Sequence, residues 1–405
     1  MSNSQLRAME LQRAGRFQEA EAIYRQILLT APDDFDALEG QGVLALQTGR
    51  AAEAVVHLQH AIRIRPDSAA TYDFLATTLH ELNRIDETIA AYKMGLRLEP
   101  GNWKSWNNLG TAQAILLQML DAERSFQQAL HLKPDYFPAL VNLANTIAEP
   151  GRIEEAITLC QRALAIYPDD EMMRYLFAAL TGKNTPVIAP KNYLTTMFDN
   201  YASTFDEHLH HLNYSGPPTL RKLVDDIPNT HTLDILDIGC GTGLCGVAFS
   251  DLARTLIGVD LSSQMLKQAR IRGIYANLIQ GDFLDVLRAN SVTYDMILSA
   301  DLFIYVGDLS EVFSLARRSL RKGGRFLLTI EDHDGEGYLL RQSRRFAHSE
   351  SYLRQVAESA GFIVENMRRS VIRKEYDDAI EGAAYVFRAA DASVSSPLSG
   401  ENCHQ

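Results

Sequence analysis

The chain has 405 residues, 46% of them apolar, and a formal net charge of −12 at pH 7. That length exceeds one ordinary domain and implies two or three, while the acidic balance excludes a general nucleic-acid binder, which needs a basic face. Cys160, Cys240, Cys245 and Cys403 lack the spacing of a zinc knuckle or a disulfide framework, and no signal peptide or long apolar run is found, so the expectation is a soluble cytoplasmic protein with no membrane partner.

Positions 1–168 repeat with a period of 34. The step gives Pro32, Pro66, Pro100, Pro134 and Pro168, then Ala20, Ala54, Thr88, Ala122 and Ala156, and Tyr24, Leu58, Tyr92, Phe126 and Cys160. Small residues recur at Ala8, Gly42, Ala76, Gly110 and Ala144, and glycine at Gly15, Gly49 and Gly151. This pattern resembles the tetratricopeptide repeat, two antiparallel helices per unit, with proline ending the second. The resemblance implies an α-solenoid whose concave groove is lined by the first helix of each pair and takes a protein or peptide. Asn108 and Asn142 are equivalent in adjacent repeats, and with Asn145 they are the groove's candidate amide donors. Gly40 and Phe74 hold the earlier equivalents, so any asparagine ladder is short, and asparagines that simply face water fit the pattern as well. Self-association of the array is left open.

Residues 169–190 are expected to form a capping helix (Glu171–Leu180) and a linker with Gly182, Asn184, Pro186 and Pro190. A second domain is expected over 191–390, followed by a polar, serine-rich, disordered tail at 391–405.

In that second domain, strands are expected at 233–238, 255–260, 277–280, 295–300, 325–331, 362–367 and 384–388, with helices between the first five. Before the sheet, Asn192–Tyr214 carries aromatics three to five residues apart and should be largely helical. The first strand runs into Asp237, Gly239, Cys240, Gly241 and Gly243, a turn at the carboxyl end of a strand and the start of a helix. The spacing is G-x-G-x-G; the dinucleotide fingerprint would need glycine at Leu244.

This loop resembles motif I of the class I S-adenosylmethionine-dependent methyltransferases. The resemblance implies a Rossmann-like, seven-stranded α/β sheet with helices on both faces and an antiparallel edge, following the repeat solenoid. It also implies S-adenosylmethionine as cofactor and S-adenosylhomocysteine as product. In that reading the Gly239–Gly243 loop curves round the methionine part and Asp260, ending the second strand, accepts from the ribose hydroxyls. Leu261 and Met265 lie near the adenosine, while Asp282 takes the adenine amino group and Phe283 lies against the ring. Ser299 and Ala300 end the fourth strand on the cofactor side, and Asp301 and Tyr305 stand where methyl group and acceptor meet. There is no N-P-P-Y or D-P-P-Y, which counts against adenine and glutamine amides as acceptors.

The 192–214 segment, with its F-D-x-Y-A-x-x-F-D core, is similar to segments that precede the sheet in a group of methyltransferases, some carrying tetratricopeptide repeats. There it folds over the cofactor as a lid, so Tyr193 and Tyr201 become cofactor contacts. His208 or Tyr305 is the candidate base or orienting group, and His211 an acceptor contact one turn from His208. A metal is not expected, because the histidines lack a fourth ligand of clear spacing. Glu331 and His333, after the fifth strand, are candidate contacts for a cationic acceptor or a divalent ion, as in catechol-type enzymes, and a solvated loop fits the same run; Arg341, Arg344, Arg345 and the 368–374 basic group would suit an acidic acceptor instead.

Three functions fit. The first is a methyltransferase whose repeats dock a protein or peptide substrate, and the second a small-molecule methyltransferase whose repeats serve assembly. The third is a non-catalytic cofactor-binding scaffold, against which the intact glycine loop and Asp260 weigh. Nothing in the sequence names the acceptor atom.

Overall fold

The computed structural model describes residues 2–390 apart from positions 150, 229, 290, 291, 376 and 377. The tail expected at 391–405 lies outside the described residues. The chain divides into two compact units, Met1–Met173 and Arg174–Gln405.

The first unit is a series of antiparallel helix pairs: α1 (Asn3–Arg13) with α2 (Phe17–Thr30), α3 (Phe35–Gln47) with α4 (Ala51–Ile64), and α5 (Ala69–Glu81) with α6 (Ile85–Leu98). Then come α7 (Trp103–Ile115) with α8 (Met119–Leu132), and α9 (Phe137–Ile147) with α10 (Ile153–Ile166). The repeated small residues are the contact points: Ala8, Ala20, Ala54, Ala76, Ala122, Ala144 and Ala156 are fully buried. Asp34, Ser68 and Asn102 begin α3, α5 and α7 by accepting a backbone N–H from the third residue onward. The turn inside each pair needs one residue at positive φ. Gly15, Gly49, Asn83 and Gly151 supply it in four repeats, and Leu117, at φ +58 and 77% exposed, in the other.

The unit boundary falls within α11 (Glu171–Thr181), ahead of the 181–190 segment that the sequence suggests as a linker. Tyr175, Ala178 and Ala179 are buried with Leu194, Ile304, Tyr305 and Phe346 of the second unit. Ile188 forms an antiparallel bridge with Val306, and the Ala189 N–H donates to Tyr305 O at 2.9 Å. Proline and glycine mark a break in regular structure here, but the apolar Val187–Ala189 run between them is bound to its unit.

The second unit opens with α12 (Lys191–Tyr201), α13 (Phe205–His211) and α14 (Gly216–Lys222). The sheet follows in βα alternation: β1 (Leu233–Ile238), α15 (Leu244–Phe249), β2 (Ala253–Asp260), α16 (Ser263–Ile271), β3 (Asn277–Gln280), α17 (Phe283–Ala289) and β4 (Tyr294–Ser299). It continues with α18 (Ser310–Ser319), β5 (Leu320–Asp332), β6 (Tyr338–Leu340), β7 (Phe346–His348), α19 (Glu350–Ser359), β8 (Phe362–Glu375) and β9 (Asp378–Ala389). Strands β3-β2-β1-β4-β5 are parallel; β9 adds antiparallel to β5, and β8 to β9. All seven expected strands are present. The β6–β7 hairpin, seated on the end of β5, was not foreseen, because three-residue strands carry too little alternation to read. Alternate β1 residues serve the two faces: Leu236 and Ile238 pack with Val312, Phe313 and Leu353, and Ile235 with Leu220 and Phe249. The chain leaves β1 first toward β2 and later, from the other side, toward β4, which makes β1/β4 the switch point where a crevice opens. No helix of the described residues is long and apolar enough to cross a membrane.

Candidate functional site: the strand ends around the glycine loop

After β1 the backbone turns through Gly239 (φ +66), Gly241 (φ +53) and Gly243 (φ +92). A Cβ at Gly239 would lie 3.0 Å from the Leu302 side chain, so side-chain-free backbone lines the crevice at that point. Gly243 is the left-handed cap from which α15 starts. Cys240 enters through its backbone, its N–H donating to Val259 O at 3.0 Å, while its side chain is buried and its Sγ packs at Gly258. Burial pushes that thiol well above its ordinary range.

Two carboxylates fix this turn. Asp260 is bound through both oxygens, Oδ2 accepting from the Gly241 N–H at 2.9 Å and Oδ1 from the Ser262 N–H at 2.8 Å. Burial raises its pKa against those two bonds. Each oxygen keeps a second lone pair for a ligand hydroxyl. Asp237 is fully buried; Tyr275 donates to its Oδ2 at 2.7 Å, and Oδ1 has no hydrogen-bond partner among the described residues. Burial pushes this carboxyl up to about 7, opposed by the Tyr275 hydroxyl. The sequence reading missed Tyr275. Its signal was Gly246, where a Cβ would come within 2.3 Å of the Tyr275 hydroxyl.

The 191–211 segment crosses the ends of β1 and β2, and the two aspartates of its F-D-x-Y-A-x-x-F-D core hold it there. Asp199 accepts from the Ser262 hydroxyl at 2.6 Å and the Gln264 N–H at 3.2 Å, at the start of α16. Asp206 accepts from the Thr242 hydroxyl of the glycine loop at 2.5 Å and pairs with Arg272, which also donates to Thr242 O. Beneath this cover lies a narrow pocket of about 60 Å³, partly open to solvent, bordered by Leu194 and Phe198, by Gly239, Asp260 and Phe283, and by Tyr305. Leu261 and Asp282 also line it. Asp282 spends one oxygen on Lys191 (2.7 Å) and the other on the Leu284 N–H (2.7 Å).

The remaining sequence candidates stand elsewhere. Met265 is buried in α16, and Ser299 is buried at the end of β4, its hydroxyl without a partner among the described residues. Ala300 packs on the opposite face of the sheet. Tyr193 lies against Tyr175 with Arg344 above it, and Tyr201 against Phe205 and His208; neither borders the pocket. His208 and His211 are exposed, contrary to the role sought for them: α13 turns Phe205 and Leu209 inward, which leaves both histidines on its outer side.

At the ends of β4 and β5, Tyr305 is buried and its ring meets Phe198 edge-on at 5.7 Å. Burial pushes its hydroxyl up to about 12, with the Arg345 guanidinium acting in the opposite direction. Asp301, at φ +59, receives the Arg373 guanidinium at 3.0 Å. Arg373 also binds Glu331, which takes Arg341 at 3.1 Å as well. Glu331 is therefore a buried, ion-paired residue and not an open contact for a cationic acceptor. His333 closes its own loop, accepting from the Gly335 N–H and contacting Gly337 O.

In the repeat unit, Asn142 donates to Asn107 Oδ1 at 3.0 Å, and Asn107 to Asn108 Oδ1 at 3.3 Å. Asn145 donates to Val141 O at 2.8 Å. The expected ladder is thus in part a hydrogen-bond chain linking α7 and α9, with Asn108 at its exposed end.

A doubly wound sheet whose switch point carries a glycine turn, an acidic strand end and an apolar covered pocket defines a nucleotide-type cofactor domain. The buried Asp237 Oδ1, the side-chain-free loop and the remaining lone pairs of Asp260 fit a cofactor that offers an amine and vicinal hydroxyls. Residues 235–324 match the family of methyltransferase domains, and residues 6–69 and 118–180 match tetratricopeptide repeat families. The chain joins a tetratricopeptide array to a methyltransferase domain. It is similar to the ubiquinone biosynthesis O-methyltransferase of Thiobacillus denitrificans, 26% identical over 112 residues, 26% of this chain and 47% of that protein. The protein of the same name from Xylella fastidiosa is 28% identical over 155 residues, 35% of this chain and 61% of that one. The chain spans about half the length of these curated relatives. A solved S-adenosylmethionine dependent methyltransferase from Mesorhizobium loti is 22% identical, with a TM-score of 0.34, covering 42% of this chain and 96% of that one.

Proposed function

We propose that the chain is an S-adenosylmethionine-dependent methyltransferase whose repeat array docks the protein or peptide that is, or delivers, the methyl acceptor. The observation that carries this reading is the joining of the glycine turn to Asp260 by the Gly241 N–H, under a cover latched at Asp199 and Asp206. The cofactor supplies a sulfonium-bound methyl group, transferred by in-line displacement. In this reading Gly239–Gly243 and Asp237 hold its amino-acid end, Asp260 its ribose, and Leu261, Phe283 and Asp282 its base. Phe198 and Tyr305 exclude water. A tyrosine with its pKa pushed up to about 12 stays protonated at neutral pH, so Tyr305 orients the acceptor as a hydrogen-bond donor and is no base. Asp301, paired with Arg373, is a positioning residue. Positioning supplies the larger part of the rate in such a displacement.

One observation favours the second reading, in which the array serves assembly and the acceptor is a small molecule: the Asn142 amide is engaged by Asn107 and Thr111 inside the array. Incubating cell extract with the protein and methyl-labelled cofactor separates the two. Label in protein supports docking, label confined to small molecules supports assembly, and no label above a heat-killed control removes the enzyme reading.

A further inference from the structure

The cover of the sheet unit is tied down after each of β1, β2 and β3. Asp206 holds the loop after β1 and Asp199 the start of α16 after β2; neither these aspartates nor the Thr242 and Ser262 they hold border the pocket. The third tie differs. Lys191, the first residue of α12, brings its Nζ to Asp282 Oδ2 at 2.7 Å, just past β3, and to Asp285 Oδ2 at 3.6 Å in the first turn of α17. Lys191 and Asp282 both stand in the pocket wall.

Asp282 is held at both oxygens, Oδ2 by the Lys191 ammonium and Oδ1 by the Leu284 N–H at 2.7 Å. It is 7% exposed, next to the Phe283 ring that borders the same pocket. The bond raises the lysine's pKa, so the ammonium keeps its charge opposite the carboxylate at neutral pH. A carboxylate so placed can only accept, and each oxygen has a lone pair left after these bonds. A planar group lying against Phe283 must therefore turn a donor toward Asp282.

We propose that Lys191 is a specificity-determining residue for the cofactor: it fixes the Asp282 carboxylate as an acceptor, so that the pocket takes a 6-amino purine and rejects a 6-keto one. The assignment rests on the methyltransferase reading above. An amino group at that edge donates to Asp282, whereas a keto oxygen there sets lone pair against lone pair and leaves polar groups unpaired. A keto purine also offers an N1–H; a carboxylate free to turn can follow it, and one pinned at both oxygens cannot. Lys191 thus acts through Asp282, as a positioning residue.

The test uses the full chain, titrated calorimetrically with S-adenosylhomocysteine and with S-inosylhomocysteine, its 6-keto analogue. The unaltered protein should bind the adenosyl form more tightly by about tenfold or more. Lys191→Met should weaken the adenosyl form about three- to tenfold and leave the inosyl form within about twofold, so the ratio falls. Lys191→Arg keeps a cation that can pair with Asp282 and Asp285, and should restore the ratio. The lysine side chain is 55% exposed, so the melting temperature should stay the same in both variants. A lysine that only holds the cover down would weaken both ligands alike. Equal weakening, an unmoved ratio in Lys191→Met, or equal binding of the two ligands by the unaltered protein would overturn the proposal. If the unaltered protein binds neither ligand, the methyltransferase reading falls and the proposal with it; if it binds the adenosyl form and Lys191→Met leaves the ratio unmoved, the proposal alone falls.

Discussion

The two halves of the sheet's carboxyl edge hold their acidic residues in different ways. On the β1–β2 side, Asp260 is bound by backbone N–H groups of Ser262 and Gly241, two and nineteen positions away. On the β4–β5 side, Asp301 and Glu331 are bound by a side chain, Arg373, seventy-two and forty-two positions away. A carboxylate held by backbone keeps its place while its free lone pairs meet a ligand. One held by a buried arginine is committed to the fold. The first arrangement suits binding and the second suits support.

The largest effect expected from breaking this contrast is at Arg373, which is 2% exposed. Arg373→Met removes the buried guanidinium that Asp301 and Glu331 share and should cost about 3–5 kcal/mol in denaturant unfolding. Adding Asp301→Asn and Glu331→Gln should recover most of the loss; no recovery would mean that the pairing is not what the arginine contributes. Asp260→Ala should weaken S-adenosylhomocysteine by about 1–3 kcal/mol in calorimetry, and unchanged affinity would remove Asp260 from the site.

Asp237 sharpens the comparison through pH. Its folded pKa is raised to about 7, above the ordinary carboxyl value of 3.8. Between those limits the folded chain keeps a proton that the unfolded chain releases, so this group's contribution to stability falls as pH rises from about 4 to about 7. The slope is at most about 1.4 kcal/mol per pH unit. Asp237→Asn should flatten that slope in melts taken across the window. The smallest expected effect on stability is at the cover. Asp206 is half exposed, so Asp206→Asn should move unfolding by only about 0.2–1 kcal/mol. The same change should speed S-adenosylhomocysteine release in stopped-flow, and an unaltered release rate would mean the latch to Thr242 does not gate the pocket.

The same contrast explains what was legible beforehand. The repeat array, the seven main strands and the glycine turn are written in local patterns: a period of 34, alternating apolar runs, glycines at every second position. Asp260 was legible because its partners lie in those same patterns. Arg373 was seen only as part of a basic run, and Tyr275 not at all, since their partners sit on other strands and no spacing rule links them. His208 and Glu331 were misplaced for a related reason. Residue type suggests chemistry, but the half-buried packing of Phe205 and Leu209 and the arrival of three arginines decide where each points. The two lid aspartates were part of the quoted pattern without a role, which only the Thr242 and Ser262 contacts supply.

The turn at Leu117 has a colloidal consequence. A left-handed leucine replaces the glycine or asparagine of the other repeats, and Ile115, Met119 and Leu120 beside it are 48%, 45% and 72% exposed. An oily point of this kind limits how concentrated a solution stays clear, because neighbouring molecules meet there without any specific fit. Leu117→Gly relieves the backbone and removes the most exposed of these side chains. Light scattering at rising protein concentration should show the attraction between molecules weaken, with the rest of the surface untouched.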